Sequence, residues 1–260
     1  MFATERYEKI GDLVAAEGRV SVAQLADRFS ITQETVRRDL AALENDGVVR
    51  RVHGGAVAAA KRSTGELSLS SRQSQHHDQK LQIARKALDL IPAGSSVVID
   101  AGTTTELLAD LLQDWQAPNP DEGLLIITHA VPIAAKLVNT PALELELLGG
   151  RVRGLTRASV GDSTVKQLDN LRPDIAFVGT NGVHPDFGFS TPDAQEAAVK
   201  SAIVRSARRV IALADASKLG EEALVRFAAL DEIDALITDT APEGALAEAL
   251  RQAGTEVVSA

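Results

Sequence analysis

From residue 97 to the C-terminus, short apolar runs alternate with stretches of helical periodicity, and no other feature narrows the fold so far. The runs are Val97–Asp100, Leu124–Thr128, Leu143–Leu148, Ile175–Gly179, Val210–Ala214, Ala235–Thr238 and Glu256–Ser259. Helical patterns fall between them at Glu106–Leu112, Ile133–Val138, Gln195–Arg208 and Ala245–Gln252. Strands alternating with helices predict an α/β domain: a doubly wound, mostly parallel sheet with helices on both faces. The segment after Gly150 fits neither period, and no internal repeat is visible.

Composition sets the outer bounds. At 260 residues the chain has room for one or two domains. With 45% apolar and 24% charged residues it is neither disordered nor collagen-like. The absence of cysteine removes disulfides and thiolate metal sites. No run reaches the length of a membrane span. The opening Met1-Phe2-Ala3-Thr4-Glu5-Arg6 has an acid where a signal peptide needs a basic and then an apolar region, so a cytoplasmic protein with no membrane partner is expected. The net charge of −9 is unevenly spread: residues 1–62 hold ten bases against nine acids, the remainder 17 against 27. Such a balance excludes a generally basic nucleic-acid coat. It leaves room for one small module with local arginines.

The N-terminal 57 residues read as that module. Tyr7, Ile10, Leu13 and Val14 lie at helical spacing, and Gly18 can end the helix in a left-handed turn. Ser21-Val22-Ala23-Gln24 is a capping-box pattern that starts a second helix, running to about Phe29. After a tight turn at Ser30-Ile31, Thr32 caps a third helix from Gln33 to about Asn45, with Val36, Leu40 and Leu43 on its apolar side. Two short helices across a tight turn predict a helix-turn-helix. Gln33, Glu34, Thr35, Arg37 and Arg38 occupy the polar side of the first two turns of the third helix, where base edges are read. Val48–Val52 then reads as a strand, with a turn at Gly54-Gly55 and a return through Ala56-Val57. Arg50, Arg51 and His53 lie on or near this hairpin, suited to phosphates beside the groove. His53 has no second ligand near it in sequence, so no metal is expected.

This stretch resembles the DeoR family of bacterial transcription regulators. The resemblance is carried by Val20-x-Val22-x-x-Leu25-Ala26-x-x-Phe29, by Thr32-x-x-Thr35-Val36-Arg37-Arg38-Asp39-Leu40, and by Leu43, Gly47 and Arg51-x-His53-Gly54-Gly55-Ala56. It implies a winged helix-turn-helix whose third helix reads operator DNA and whose hairpin is the wing. Residues 58–79, with Ala58-Ala59-Ala60-Lys61-Arg62, a Ser/Gln-rich stretch and His76-His77, read as a solvated linker. A second domain is expected over 80–260, opening with a helix at Lys80–Leu90 that stops before Pro92.

Ligands of doubly wound sheets bind at the carboxyl ends of the strands. Here those ends are polar. Asp100 leads into Ala101-Gly102-Thr103-Thr104-Thr105 and a helix, offering N–H groups, hydroxyls and a positive helix end to a phosphate. The same loop is equally readable as an ordinary threonine helix cap. Thr128-His129, Gly149-Gly150, Gly179-Thr180-Asn181-Gly182, Asp215-x-x-Lys218 and Thr238-Asp239 follow on the same rim. Glu196 and Lys200 are one helical turn apart and read as a surface ion pair.

The second half resembles the sensor domain of the same family. The carrying residues are Asp100-Ala101-Gly102-Thr103-Thr104, Leu148-Gly149-Gly150, Asp174-x-Ala176-Phe177-x-Gly179-x-Asn181-Gly182, Glu196-Ala197-x-x-Lys200, Asp215-x-Ser217-Lys218 and Thr238-Asp239. His129 departs from the pattern, in which asparagine commonly follows the threonine. The resemblance implies a fold like ribose-5-phosphate isomerase and a phosphorylated-sugar effector held by Asp100, Gly102, Thr103, Thr104, Thr105, His129, Gly149, Gly150, Gly179, Thr180, Asn181, Lys200, Asp215 and Lys218. It also implies a homodimer or homotetramer on symmetric operators, and a repressor of sugar-catabolism or transport genes without cofactor or metal. The alternative is a sugar-phosphate isomerase or deaminase. Against turnover, the loop Gly179–Gly182 lacks a carboxylate base, and standard nucleophile, zinc, nucleotide and dinucleotide motifs are absent.

Overall fold

The computed structural model describes residues 3–45, 47–58, 66 and 69–260. The chain divides into two compact units, Met1–Gln75 and His76–Ala260.

The first unit runs α1 (Ala3–Glu17), β1 (Arg19–Ser21), α2 (Val22–Phe29), α3 (Gln33–Asn45), β2 (Val49–Val52), β3 (Gly55–Ala58) and α4 (Leu69–Ser74). Local signals set its breaks. Gly18, at φ +72°, ends α1 with its N–H on the Val14 carbonyl. The Ser21–Gln24 capping box forms in both directions, at 3.1 and 2.9 Å, and starts α2. Thr32 Oγ1 accepts from the Thr35 N–H at 3.2 Å and starts α3. Ile10, Val14, Leu25, Val36, Leu40, Leu43 and Val49 form the core. The three-residue strand β1 was not legible in sequence; it pairs antiparallel with β3 to give a sheet ordered β1-β3-β2. Gly54, at φ +78°, makes the turn, and Gly55 already belongs to β3, where a Cβ would strike the Val20 carbonyl oxygen. Within the third-helix motif Asp39 faces inward, its carboxylate holding the buried Arg6 of α1 through Nε at 2.6 Å and Nη2 at 2.9 Å.

The second unit runs α5 (His77–Leu88), β4 (Ser96–Ile99), α6 (Thr103–Leu112), β5 (Leu124–Thr128), α7 (Val131–Leu137), β6 (Leu143–Leu147), β7 (Arg151–Arg153), β8 (Ala158–Val160), α8 (Asp162–Leu168), β9 (Ile175–Gly179), β10 (Gly182–His184), β11 (Gly188–Thr191), α9 (Ala194–Ser206), β12 (Val210–Leu213), β13 (Val225–Ala228), β14 (Ala235–Thr238), α10 (Gly244–Ala253) and β15 (Glu256–Ser259). Short 3₁₀ turns stand at Ala216–Lys218 and Leu230–Glu232. All seven anticipated strands join one sheet ordered β15-β14-β12-β9-β4-β5-β6, and every pairing in it is parallel. Among the described residues of this unit, antiparallel pairing occurs in the small sheets β7-β8 and β10-β11-β13 and in one isolated bridge, Ala130–Ala158. Side chains alternate between the two faces. Val97 and Ile99 of β4 pack with α5, α6 and α7, while Val98 packs with α8, α9 and α10.

The stretch read as linker holds regular structure: α4 covers 69–74 and α5 starts at His77, three residues before the anticipated helix. Residues 59–65, 67 and 68 of that stretch lie outside the described residues.

Removing one partner of a buried ion pair strands the other charge. Asp39→Ala is therefore expected to destabilise the first unit by about 3 kcal/mol. A urea titration followed by the helical circular-dichroism signal checks this, and a loss below about 0.5 kcal/mol would show that Arg6 reaches water in the variant.

Candidate functional site

In the first unit, α3 and the β2–β3 hairpin present one polar face. Gln33, Glu34, Arg37 and Arg38 are exposed on α3, with the Arg37 and Arg38 side chains 57% and 80% accessible. Glu34 stands 3.6 Å from Arg37 and 3.5 Å from Arg38, while Gln33 accepts from Arg37 at 3.4 Å. These exposed pairs are weak and easily exchanged for a stronger anion. Thr32 and Thr35 share a hydroxyl contact at 2.9 Å in addition to the cap. Arg50 and His53 are exposed on and beside β2. Arg51 is exposed too, and it is held by Glu44 of α3. A groove of about 790 Å³ runs between helix and hairpin, lined by Ser21, Gln33, Arg37, Glu44, Arg51 and His53 among others.

In the second unit, the order of the sheet reverses between β4 and β9, which defines the crevice of a doubly wound fold. Asp100 sits at the carboxyl end of β4 in that crevice, with no exposed surface. Its Oδ2 accepts from the Gly179 N–H at 3.0 Å and pairs with the Lys200 ammonium of α9. Its Oδ1 lies 3.0 Å from His129 Nε2. Lys200 also donates to the Gly179 carbonyl at 2.9 Å and lies over the Phe227 ring, 5.5 Å from its centroid. Ser159 O can only accept, so the His129 Nδ1 at 2.8 Å from it carries the proton. His129 Nε2 stands between two groups, donating to Asp100 Oδ1 when it is protonated and accepting from the Ala101 N–H, 3.2 Å away, when it is not. Burial alone would raise the Asp100 carboxyl, but Lys200 and His129 together hold it below the usual carboxylate range.

Four of the anticipated rim residues, Asp100, His129, Gly179 and Lys200, are thus one knot, anchored further by the Ser159 carbonyl and the Ala101 N–H. The expected surface pair of Glu196 with Lys200 does not form. Both are buried, because α9 is covered by the large sheet on one side and by β11 and β13 on the other. Glu196 pairs instead with the Thr156 hydroxyl and with Arg153 at 3.1 Å.

The other rim residues lie on the same edge of the sheet with different degrees of freedom. Gly102, in extended backbone at φ 176°, precedes α6, and Thr103 is half-buried behind it. Thr104 and Thr105 are buried, and the Thr105 hydroxyl returns to the Gly102 carbonyl at 3.0 Å. Gly149 turns to α8: its N–H donates to Gln167 at 3.1 Å, and its carbonyl accepts from Thr164 and Gln167 at 2.9 Å each. A Cβ on the adjoining Gly150 would strike Thr164. Thr180 donates to the Gly182 carbonyl at 2.8 Å, and Asn181 accepts from Thr191 at 3.1 Å. Asp215 caps the 3₁₀ turn through the Ser217 N–H at 3.0 Å, and Lys218 is half-buried beside it. Burial would raise Asp215 too, yet Lys218 first and then Ser217 hold it low. Asp239 accepts from the Ala216 N–H at 2.7 Å, tying the ends of β12 and β14 together. Among the described residues no group of three or more His, Asp or Glu side chains could hold a metal, and no helix is long and apolar enough to cross a membrane.

Sequence reasoning missed Glu44, and it missed the polar cluster of Arg151, Arg153, Thr156, Asp193 and Gln195 that surrounds Glu196. Arg151, Arg153 and Thr156 come from the β7–β8 hairpin, in the segment whose period was unreadable, while Asp193 caps α9 and Gln195 lies in its first turn.

Comparison with known proteins covers nearly the whole chain. The model described as "DeoR-like helix-turn-helix domain" matches residues 6–62, and that described as "DeoR C terminal sensor domain" matches 75–240. The chain is 35% identical to the HTH-type transcriptional regulator GlpR of Haloferax volcanii, over 99% of this chain and 98% of that protein. It is 32% identical to the glycerol-3-phosphate regulon repressor of Escherichia coli, over 93% of each. Among solved structures, a ribose 5-phosphate isomerase from Methanocaldococcus jannaschii matches with a TM-score of 0.40 at 18% identity, covering 56% of this chain and 55% of that one.

The Asp100 knot makes stability depend on pH with a definite sign. A carboxyl whose folded pKa lies below its unfolded value, about 3.9, stabilises above that pH and loses the contribution as pH falls through the folded value. Asp100→Asn removes this dependence and leaves Lys200 without its counter-charge. The variant should be about 3–5 kcal/mol less stable at pH 7, and the gap should narrow from about pH 4 downward. Urea titrations at a series of pH values measure the two curves, and parallel curves down to pH 3 would contradict the assigned role.

Proposed function

The chain belongs to the DeoR family of transcriptional regulators, and from that premise we propose that it represses sugar-catabolism or sugar-transport genes and leaves its operator when a phosphorylated sugar binds the second unit. The observation that carries the reading is the exposed Arg37–Arg38 face of α3 in a chain that matches the family in both units. Arg37, Arg38, Gln33, Glu34 and Thr35 read base edges from the first turns of α3. Thr32 fixes the start of that helix. Arg50, Arg51 and His53 contact phosphates.

The effector lies over the carboxyl ends of the strands. Gly102, Thr103 and Thr104 offer N–H groups and hydroxyls to its phosphate at the start of α6. Thr180, Asn181 and Lys218 face the sugar. Asp100, His129, Gly179 and Lys200 form the floor, Asp215 holds the Lys218 turn, and Thr105, Gly149 and Gly150 shape the loops. Binding without turnover is supported by the state of the nearest carboxylates: Asp100 is engaged by Lys200, His129 and the Gly179 N–H, and Glu196 by Thr156 and Arg153. Neither is free to take a proton from a sugar carbon. The protein acts in the cytoplasm as a dimer or tetramer, because a symmetric operator calls for paired reading heads. The effector stabilises a state that no longer fits both half-sites, and each tenfold difference in its affinity between states shifts the equilibrium by about 1.4 kcal/mol.

Arg37→Ala and Arg38→Ala should each cost about 1–3 kcal/mol in operator binding, or about 5- to 150-fold in Kd. Fluorescence anisotropy on a labelled duplex from the upstream region of the protein's own gene provides the measurement. Operator affinity unchanged in both variants would refute the reading of α3. Lys218→Ala should keep operator affinity while raising the concentration of the active sugar phosphate needed for release. Unaltered release would remove Lys218 from the site, and catalytic consumption of that sugar phosphate would replace the regulator by an enzyme.

A further inference from the structure

We propose that Glu44 is a positioning residue for DNA recognition: it docks Arg51 of the wing onto the last turn of α3, so that helix and wing meet the duplex as one rigid face. The inference rests on the reading of that face as the DNA-binding surface and assigns within it a residue that makes no DNA contact itself.

In the sheet β1-β3-β2 the strand β2 is an edge, so backbone groups on its outer side have no strand partner. The Arg51 N–H finds one in Glu44, donating to Oε1 at 2.9 Å. Oε2 of the same carboxylate accepts from Arg51 Nε at 2.6 Å. One side chain thus fixes both the backbone and the guanidinium of a single wing residue. The charge-assisted bonds hold the Glu44 carboxyl below its usual range, so it remains ionised. Pairing through Nε leaves the two terminal nitrogens of the fork for another anion, and Arg51 lines the same groove as Arg37, Gln33 and His53.

The placement needs an explanation because its simple electrostatic effect is adverse. A carboxylate on a surface that meets phosphates repels them. If charge were its whole contribution, removing Glu44 would tighten binding to every DNA. If Glu44 positions Arg51, removing it frees the wing from α3 and weakens binding where geometry matters. The two accounts predict opposite signs.

The test uses the full chain and two probes: the tightest duplex that the wild-type protein selects from a random pool, and a mixed-sequence duplex. Glu44→Ala is expected to weaken binding to the selected duplex about five- to tenfold, and to leave mixed-sequence binding unchanged or tighter. The slope of log K against log salt should fall in magnitude by about one on the selected duplex, as when a phosphate contact is lost. Arg51→Ala should give the same slope, and the double variant should be no weaker than Arg51→Ala alone. Glu44→Gln removes the charge but keeps one acceptor; it should fall between wild type and Glu44→Ala, and it carries the test if Glu44→Ala fails to fold. Tighter binding of Glu44→Gln to both probes, or a wild-type salt slope in Glu44→Ala, would overturn the proposal. If Arg37→Ala and Arg51→Ala also leave both affinities unchanged, the failure belongs to the DNA-binding face itself; if they weaken binding and Glu44 variants do not, it belongs to Glu44 alone.

Discussion

The second unit depends on a carboxylate placed where a doubly wound sheet would otherwise be open. After β4 the chain builds outward through β5 and β6, then returns to the other side of β4 and builds outward through β9, β12, β14 and β15. The crevice at that reversal is the natural ligand site of the fold. Here Asp100 fills its floor and binds together β4, the end of β9, α9 and the residue after β5. The opposite end of the same junction is tied by Asp174, whose Oδ2 accepts from the Ser96 N–H at 3.0 Å and the Ser96 hydroxyl at 2.7 Å. The central pair of strands is thus clamped at both ends by aspartates. Buried ion pairs gain little net stability, since desolvation offsets attraction. In this arrangement the knot fixes how β4, β9 and α9 are registered.

The two units divide the electrostatic work. The second carries the whole of the acidic excess, while the first is close to neutral and sets two adjacent arginine pairs, Arg37-Arg38 and Arg50-Arg51, on one helix face and one hairpin. A protein of this balance gains little from general attraction to a polyanion. Its hold on DNA depends on a few groups held in the right geometry. That dependence gives weight to the small fixed features of the first unit: the Thr32 cap, the Arg6–Asp39 pair inside, and Glu44 against Arg51 at the base of the wing.

Much of this was legible in sequence, for a physical reason. Interior strands of a parallel sheet are covered on both faces and read as apolar runs, and the edge strands β6 and β15 still hold Leu or Val between polar residues, so β5, β9, β14 and β15 were read with their observed limits and β4, β6 and β12 to within one residue. The helix-turn-helix was readable because caps and turns are local chemistry. The strands β1, β7, β8, β10, β11 and β13 were not, because each carries Arg, Ser, Gly or His within three or four residues and so shows no apolar run. That gap misled the reading of α9. Without β11 and β13 the helix is a surface helix, and Glu196 and Lys200 become a solvated pair. With them it is enclosed, and each charge must find a partner elsewhere. The available signal was the apolar setting of Lys200, between Ala197, Val199, Ala202 and Ile203 on a helix with no polar side. His129 shows the same limit: sequence placed it on the rim, but only the fold shows its ring turned down onto Asp100 and Ser159.

The central claim is that one chain couples a sheet-edge anion site to a DNA-reading face, and linkage tests it directly. Coupling between two binding sites is reciprocal: a sugar phosphate that weakens operator binding by some factor must itself bind the operator complex more weakly by that factor. Calorimetric titration of the active sugar phosphate into the free protein and into its operator complex measures both affinities. The account predicts weaker binding to the complex by the same ratio that the sugar phosphate imposes on DNA affinity. Equal affinity for the free and DNA-bound protein would contradict it.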